Sequence, residues 1–207
     1  MLKLTVKRYQ KANKTGIKKK AIPLDTNIII VNNTGSGGFF YSHDRIEHVI
    51  DLQEPTSHEQ KTLADLKIIS QFSKNIFSEY GILIVDVLDE EYTLEDVYAY
   101  LDIMPVYDEL MILAKNEDGF DTGMFERFAI KSSLKAFTQT IVKLTIPAQK
   151  RLIQALFHAY KDKVISNNQA GYDKCQFVAR ILKMEDDVID VLKNDYRSPT
   201  VHINELI

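Results

Sequence analysis

Between Leu63 and Leu88 the hydrophobic period of the chain switches once, and that switch limits the architectures open to it. Leu63, Leu66, Ile69, Phe72, Ile76 and Tyr80 recur every three or four residues, as along one face of a helix. Gly81 follows, the residue type expected just past a helix end. Ile82-Leu83-Ile84-Val85-Asp86-Val87-Leu88 then reads as a buried strand. Ser57-x-x-Gln60 has the form of a capping box, with Pro55 just outside it, so the helix is expected to begin near residue 56.

Residues 1–53 look β-rich. Leu2, Leu4 and Val6 alternate with Lys3, Thr5 and Lys7, which predicts a first strand, and Asn27–Val31 predicts a second, more buried one. Asn32-Asn33-Thr34-Gly35-Ser36-Gly37-Gly38 supplies a turn of the hairpin kind, because Asn and Gly tolerate positive φ. Phe39-Phe40-Tyr41 and Ile46–Leu52 complete a small antiparallel meander. A phosphate-loop reading of the glycines fails on context. It needs a helix and a lysine after the loop, and strand-forming aromatics follow instead.

Downstream, Thr93 caps a helix whose first turn carries Glu95 and Asp96. Pro105 is expected to end or kink it, leaving a second piece from about Val106 to Lys115. The polar break Asn116–Gly123 is the natural place for a boundary, between a 1–118 α+β region and a 119–207 helical region. Helices are expected at about 122–144, 147–164 starting with Pro147, 172–182 and 185–195. The fold class is α+β: a small N-terminal antiparallel β region, a central helix–strand unit and an α-helical C-terminal half.

Charge is sorted into blocks along this framework. Residues 1–20 carry +8 with no acid, residues 86–121 carry −11, and residues 122–163 return to +6. The net charge of −3 therefore hides strong local fields, and local fields choose partners. Tyr92, Tyr98, Tyr100 and Tyr107 interleave with Glu95, Asp96, Asp102 and Asp108. Tyrosine supplies anchoring area and carboxylates supply steering, so these eight residues form the expected protein-docking face. Arg127, Lys131 and Lys135 fall on one helical face by their i, i+4, i+8 spacing. With Lys11, Lys14, Lys18, Lys19 and Lys20 they could instead track an anionic polymer. The two charge blocks could also pair with each other, within one chain or between copies.

Catalytic and metal grammar is thin. His43, Asp44, Glu47 and His48 have ligand residue types, but a strand would send them to opposite faces, so no metal is expected. Cys175, the one cysteine, lies in a helical pattern and reads as a small core residue. With no disulfide framework, a reducing compartment and a cytoplasmic location are the simpler expectation. The apolar runs are too short for a membrane span, and no cofactor is implied. Gln176–Asp195, with the amphipathic helix before it, resembles a helix-turn-helix unit at 149–195. Its second helix opens Glu185-Asp186-Asp187, however, which would meet phosphate repulsion at the DNA. Frequent Lys, Asn and Ile fit an AT-rich coding genome such as that of a low-GC bacterium or its phage. The expectation is a non-enzymatic assembly or adaptor subunit that binds another protein or copies of itself. The alternative is a DNA- or RNA-binding regulator.

Overall fold

The computed structural model describes residues 20–34, 37–45, 49–114, 120–162, 164–165 and 168–181. The chain has an α+β fold. Its strands are β1 (Asn27–Asn32), β2 (Phe39–Tyr41), β3 (Ile50–Leu52), β4 (His58–Thr62) and β5 (Ile82–Val87). Helices α1 (Leu63–Phe72) and α2 (Asn75–Ser78) lie between β4 and β5. After β5 come α3 (Leu94–Tyr100), α4 (Met104–Ala114), α5 (Met124–Lys131), α6 (Leu134–Ile141), α7 (Ile146–Lys161) and α8 (Gln169–Ile181). The expected strand at 2–7 and the helix at 185–195 lie outside the described residues.

β1 is the middle of an antiparallel sheet ordered β4-β1-β5, and Ile28 and Ile30 on it have no exposed surface. β2 and β3 pair with each other in a second sheet, Phe39 opposite Leu52 and Tyr41 opposite Ile50. The expected meander is therefore two sheets, and the Asn/Gly-rich turn joins them instead of closing a hairpin. Asn32 shapes that turn. Its amide donates to the carbonyls of Gly37 (3.0 Å) and Glu54 (2.8 Å), and its Oδ1 accepts the Thr34 N–H at 2.9 Å.

The helix expected from residue 56 starts later. Residues 58–62 pair with β1, Val31 opposite His58 and Asn27 opposite Thr62, and α1 begins only at Leu63. Thr62 caps it, accepting the Asp65 N–H at 3.3 Å, while the Ser57 hydroxyl turns back to the Glu54 carbonyl. Sheet pairing thus overrides the Ser57 capping signal and sets where the helix begins. The stripe's end also differs. Tyr80, not Gly81, takes the left-handed conformation (φ +60°) past α2. The Gly81 N–H bonds the Ile76 carbonyl and the Tyr80 N–H bonds the Phe77 carbonyl, both at 3.0 Å, which is a Schellman closure. α3 ends the same way on Asp102 (φ +59°), with Ile103 N–H on the Tyr98 carbonyl. Pro105 accordingly does not stop α3. It sits in the first turn of α4, where a missing N–H costs nothing.

The single helix expected at 122–144 is two. α5 stops at Lys131 and Ser133 caps α6, accepting the Ala136 N–H at 3.2 Å. One hydrophobic core nonetheless joins both halves of the chain, from Ile28, Leu66 and Ile84 through Leu110 and Phe128 to Leu156 and Cys175. Polar ties cross the same region. The guanidinium of Arg151 on α7 donates to the carbonyls of Thr34 (3.0 Å), Tyr80 (3.3 Å) and Glu79 (3.4 Å). Lys174 on α8 is buried and donates to the Ala129 (2.6 Å) and Ile130 (3.3 Å) carbonyls, which α5 leaves unpaired at its end.

Candidate docking surface

The acidic surface starts where β5 leaves the sheet. Leu88, Asp89, Glu90 and Glu91 are all exposed, Leu88 with 49% of its surface in solvent. The loop is nevertheless shaped by its own hydrogen bonds. Asp89 Oδ1 accepts the Glu91 N–H at 3.0 Å, and the Asp89 carbonyl accepts the Tyr92 N–H at 3.1 Å. A full capping box follows: Thr93 Oγ1 accepts the Asp96 N–H (3.2 Å) and Asp96 Oδ2 accepts the Thr93 N–H (3.0 Å). The acids are thus held on a defined frame.

Of the eight residues expected to form this face, the structure gathers five. Lys20 Nζ lies 4.6 Å from the centre of the half-buried Tyr92 ring and donates to the Glu91 carbonyl at 2.5 Å. Asp96 has its carboxyl held below the usual range, first by the Thr93 N–H, which burial opposes, with the Thr93 hydroxyl and the charge of Lys20 adding to the lowering. Tyr107 packs edge-on against Phe120 at 5.5 Å, and its phenol is pushed up by burial and then by the charges of Glu95 and Asp108. Tyr92, Glu95, Asp96, Tyr107 and Asp108 therefore share one negative field.

Tyr98 does not belong to that face, which corrects the sequence reading. It is 1% exposed, and its hydroxyl donates to the Ile84 carbonyl (3.0 Å) and accepts the Ile84 N–H (3.3 Å). It closes the outer side of β5 at that residue, and burial pushes its phenol up. Buried at the 3.6-residue spacing with Val97 and Leu101, it is a core residue by position. Tyr100 and Asp102 part from the acidic face in another direction. The Tyr100 hydroxyl accepts from Lys67 Nζ at 3.2 Å, and with Asp102 it faces the groove beside α1.

The alternative, cationic set divides as well. Lys11, Lys14, Lys18 and Lys19 lie outside the described residues, and Lys20 rests on Tyr92. Arg127 binds Asp121 through both guanidinium arms, at 2.8 and 2.6 Å, and this pairing is the first cause of the low Asp121 pKa. Lys131 and Lys135 are exposed on two different helices, so the expected single face of α5 is interrupted between them.

Glu109 belongs to the −11 block of the sequence, but it is buried on the inner face of α4. Its carboxyl accepts the Tyr80 O–H, the Thr145 N–H and, at 2.9 Å, the Thr145 hydroxyl. The signal was present: Val106, Glu109, Leu110 and Leu113 are a helical stripe with one acid in it. Arg151 gave no comparable signal, because its three carbonyl partners are distant in sequence. Among the described residues, no group of three or more His, Cys, Asp or Glu could hold a metal. His43 stacks on Phe72 at 4.7 Å, while Glu47 and His48 lie outside the described residues. Cys175 is fully buried, and desolvation pushes its thiol up to about 12, so it stays protonated at neutral pH. No helix among the described residues is long and apolar enough to cross a membrane. No protein family, curated protein or solved structure compared with the chain matches it.

Proposed function

We propose that this protein is a non-enzymatic interaction subunit whose acidic surface, from Leu88 to Asp108, receives a basic segment of a protein partner. The observation that carries the reading is the seat of Lys20. A lysine ammonium placed over Tyr92 and hydrogen-bonded to the Glu91 carbonyl supports the reading, because it joins an aromatic face, a backbone acceptor and nearby carboxylates around one cation. Exposed Leu88 beside the acids, and Met111 and Ile112 one turn beyond Asp108, add the apolar area a steering field alone lacks. The cationic alternative has less to work with, since Arg127 is engaged by Asp121 and the exposed lysines of α5 and α6 are on separate helices.

Affinity capture with the full chain tests this. Partners retained at low salt should elute at about 0.5 M salt, where the Debye length falls to a few ångströms. They should also be lost from the variant carrying Glu91→Lys, Glu95→Lys and Asp108→Lys. Equal retention by the variant overturns the proposal. Nuclease-sensitive retention, with a gel shift at low salt, would support the nucleic-acid alternative instead.

A further inference from the structure

A second site lies beside the acidic surface, where α1 faces the end of α3. A groove of about 440 Å3, open on one side, is lined by Lys67, Ser70, Gln71 and Lys74 along one wall and by Tyr100 and Asp102 along the other, with Lys20 at its end. Its volume is in the range of small-molecule sites. Three lysines against Asp102 leave a net formal charge of +2 in a region whose neighbouring surface is strongly negative. We propose that this groove binds a small phosphate-bearing ligand, with Lys67 and Lys74 as the charged contacts.

Three features argue for that class. Lys67, Ser70 and Gln71 sit at i, i+3 and i+4 on α1 and so project together, and Lys74 continues the row where α2 begins. The groove offers donors of three kinds around a concave space: ammonium groups, the hydroxyl of Tyr100, and the amide of Gln71. Ser70 donates to the Lys67 carbonyl (2.8 Å) and Lys67 to the Tyr100 hydroxyl (3.2 Å), so the two walls are tied together before any ligand arrives. Among the described residues that line it, lysines alone supply the cations, and ammonium groups bind phosphate as point charges from several directions. Lys20 is shared with the docking surface, where it rests on Tyr92, but Lys67 and Lys74 alone still outweigh Asp102, so the proposal does not rest on that surface.

Titration of the full chain with inorganic phosphate and with adenosine monophosphate, read by backbone amide NMR, tests the site and separates a bare phosphate from a phosphoester. Saturable shifts confined to residues 20–21, 67–74 and 100–102 are expected. Lys67→Gln with Lys74→Gln should weaken binding by roughly tenfold, given what exposed charge pairs contribute. Lys74→Gln alone, which leaves the Lys67–Tyr100 contact intact, should give a smaller loss and guards against a folding defect. Lys143→Gln with Lys150→Gln should change nothing. Absence of saturable shifts, or shifts indifferent to Lys67→Gln with Lys74→Gln, overturns the proposal. So does a single-stranded oligonucleotide that binds more tightly than either phosphate with shifts reaching Lys131 and Lys135, since that describes a polymer surface.

Discussion

Asp108 and Glu109 are neighbours on α4, yet they belong to different physical regimes. Asp108 is exposed and contributes to the field around Tyr107. Glu109 is buried and joins three separate pieces of chain: the left-handed residue Tyr80, the start of α7 at Thr145, and α4 itself. The same division separates the whole outer acidic surface from the inner polar seam of Glu109, Tyr80, Thr145 and Arg151. Carboxyls in water steer partners at little structural cost, because solvent satisfies them whether or not a partner is bound. A carboxyl in the interior is committed to its donors, because removing it strands them away from water.

Paired substitutions at inner and outer positions can break this comparison. The largest contrast is expected at the two left-handed helix ends. Tyr80→Gly relieves the backbone but deletes a fully buried ring that packs edge-on against Phe125 at 5.4 Å, so it should cost about 3 kcal/mol or more in urea unfolding. Asp102→Gly relieves the same conformation at an exposed site and should stabilise by up to about 1 kcal/mol. Destabilisation by both substitutions would mean that Asp102 does structural work its exposure hides.

Next in size is α4 itself. Glu109→Ala leaves the Tyr80 hydroxyl and the Thr145 N–H without their acceptor and should cost about 2–4 kcal/mol. Asp108→Ala should stay within about 0.5 kcal/mol while weakening association with a basic partner. Similar stability losses at both positions would erase the distinction between the two faces.

The smallest effect sharpens the comparison through pH. Asp96 and Asp121 have folded pKa values held below their ordinary range, by Thr93 and by Arg127 respectively. A depressed carboxyl adds stability above its unfolded pKa of about 4 and loses it as pH falls through the folded value. Wild type should therefore lose more stability than Asp96→Asn or Asp121→Asn between neutral pH and about pH 2. The difference should stay under about 1 kcal/mol, because both groups are largely solvated. A parallel loss in all three proteins would show that neither carboxyl is differentially held in the folded state.

The elements that were legible in the sequence are those whose partners are local. Thr93 and Asp96 close their capping box within one turn, so the start of α3 could be read directly. The β5 run, Ile82 to Val87, is apolar because the sheet and helices cover it, and composition alone reveals that. The acids around Tyr92 were equally plain, since solvated charge needs no partner to be recognised. Misreadings fell where a distant contact outvoted a local signal. Ser57-x-x-Gln60 is a good cap, but pairing across to β1 draws residues 58–62 into a strand. Gly81 is the cheaper left-handed residue, but Tyr80 takes that role because its ring is buried and its hydroxyl meets Glu109. Tyr98 resembled the partly buried Tyr92, Tyr100 and Tyr107 in composition and differs in facing Ile84.

Local periodicity, the Thr93–Asp96 capping box and charge order were decided by the amino-acid sequence itself, because each depends on residues within a turn or two of one another. Which tyrosine faces water, which carboxyl ties the interior together and which lysines meet across the α1–α3 groove were decided by tertiary structure. Those outcomes depend on what burial brings alongside a group, and desolvation assigns different roles to identical side chains.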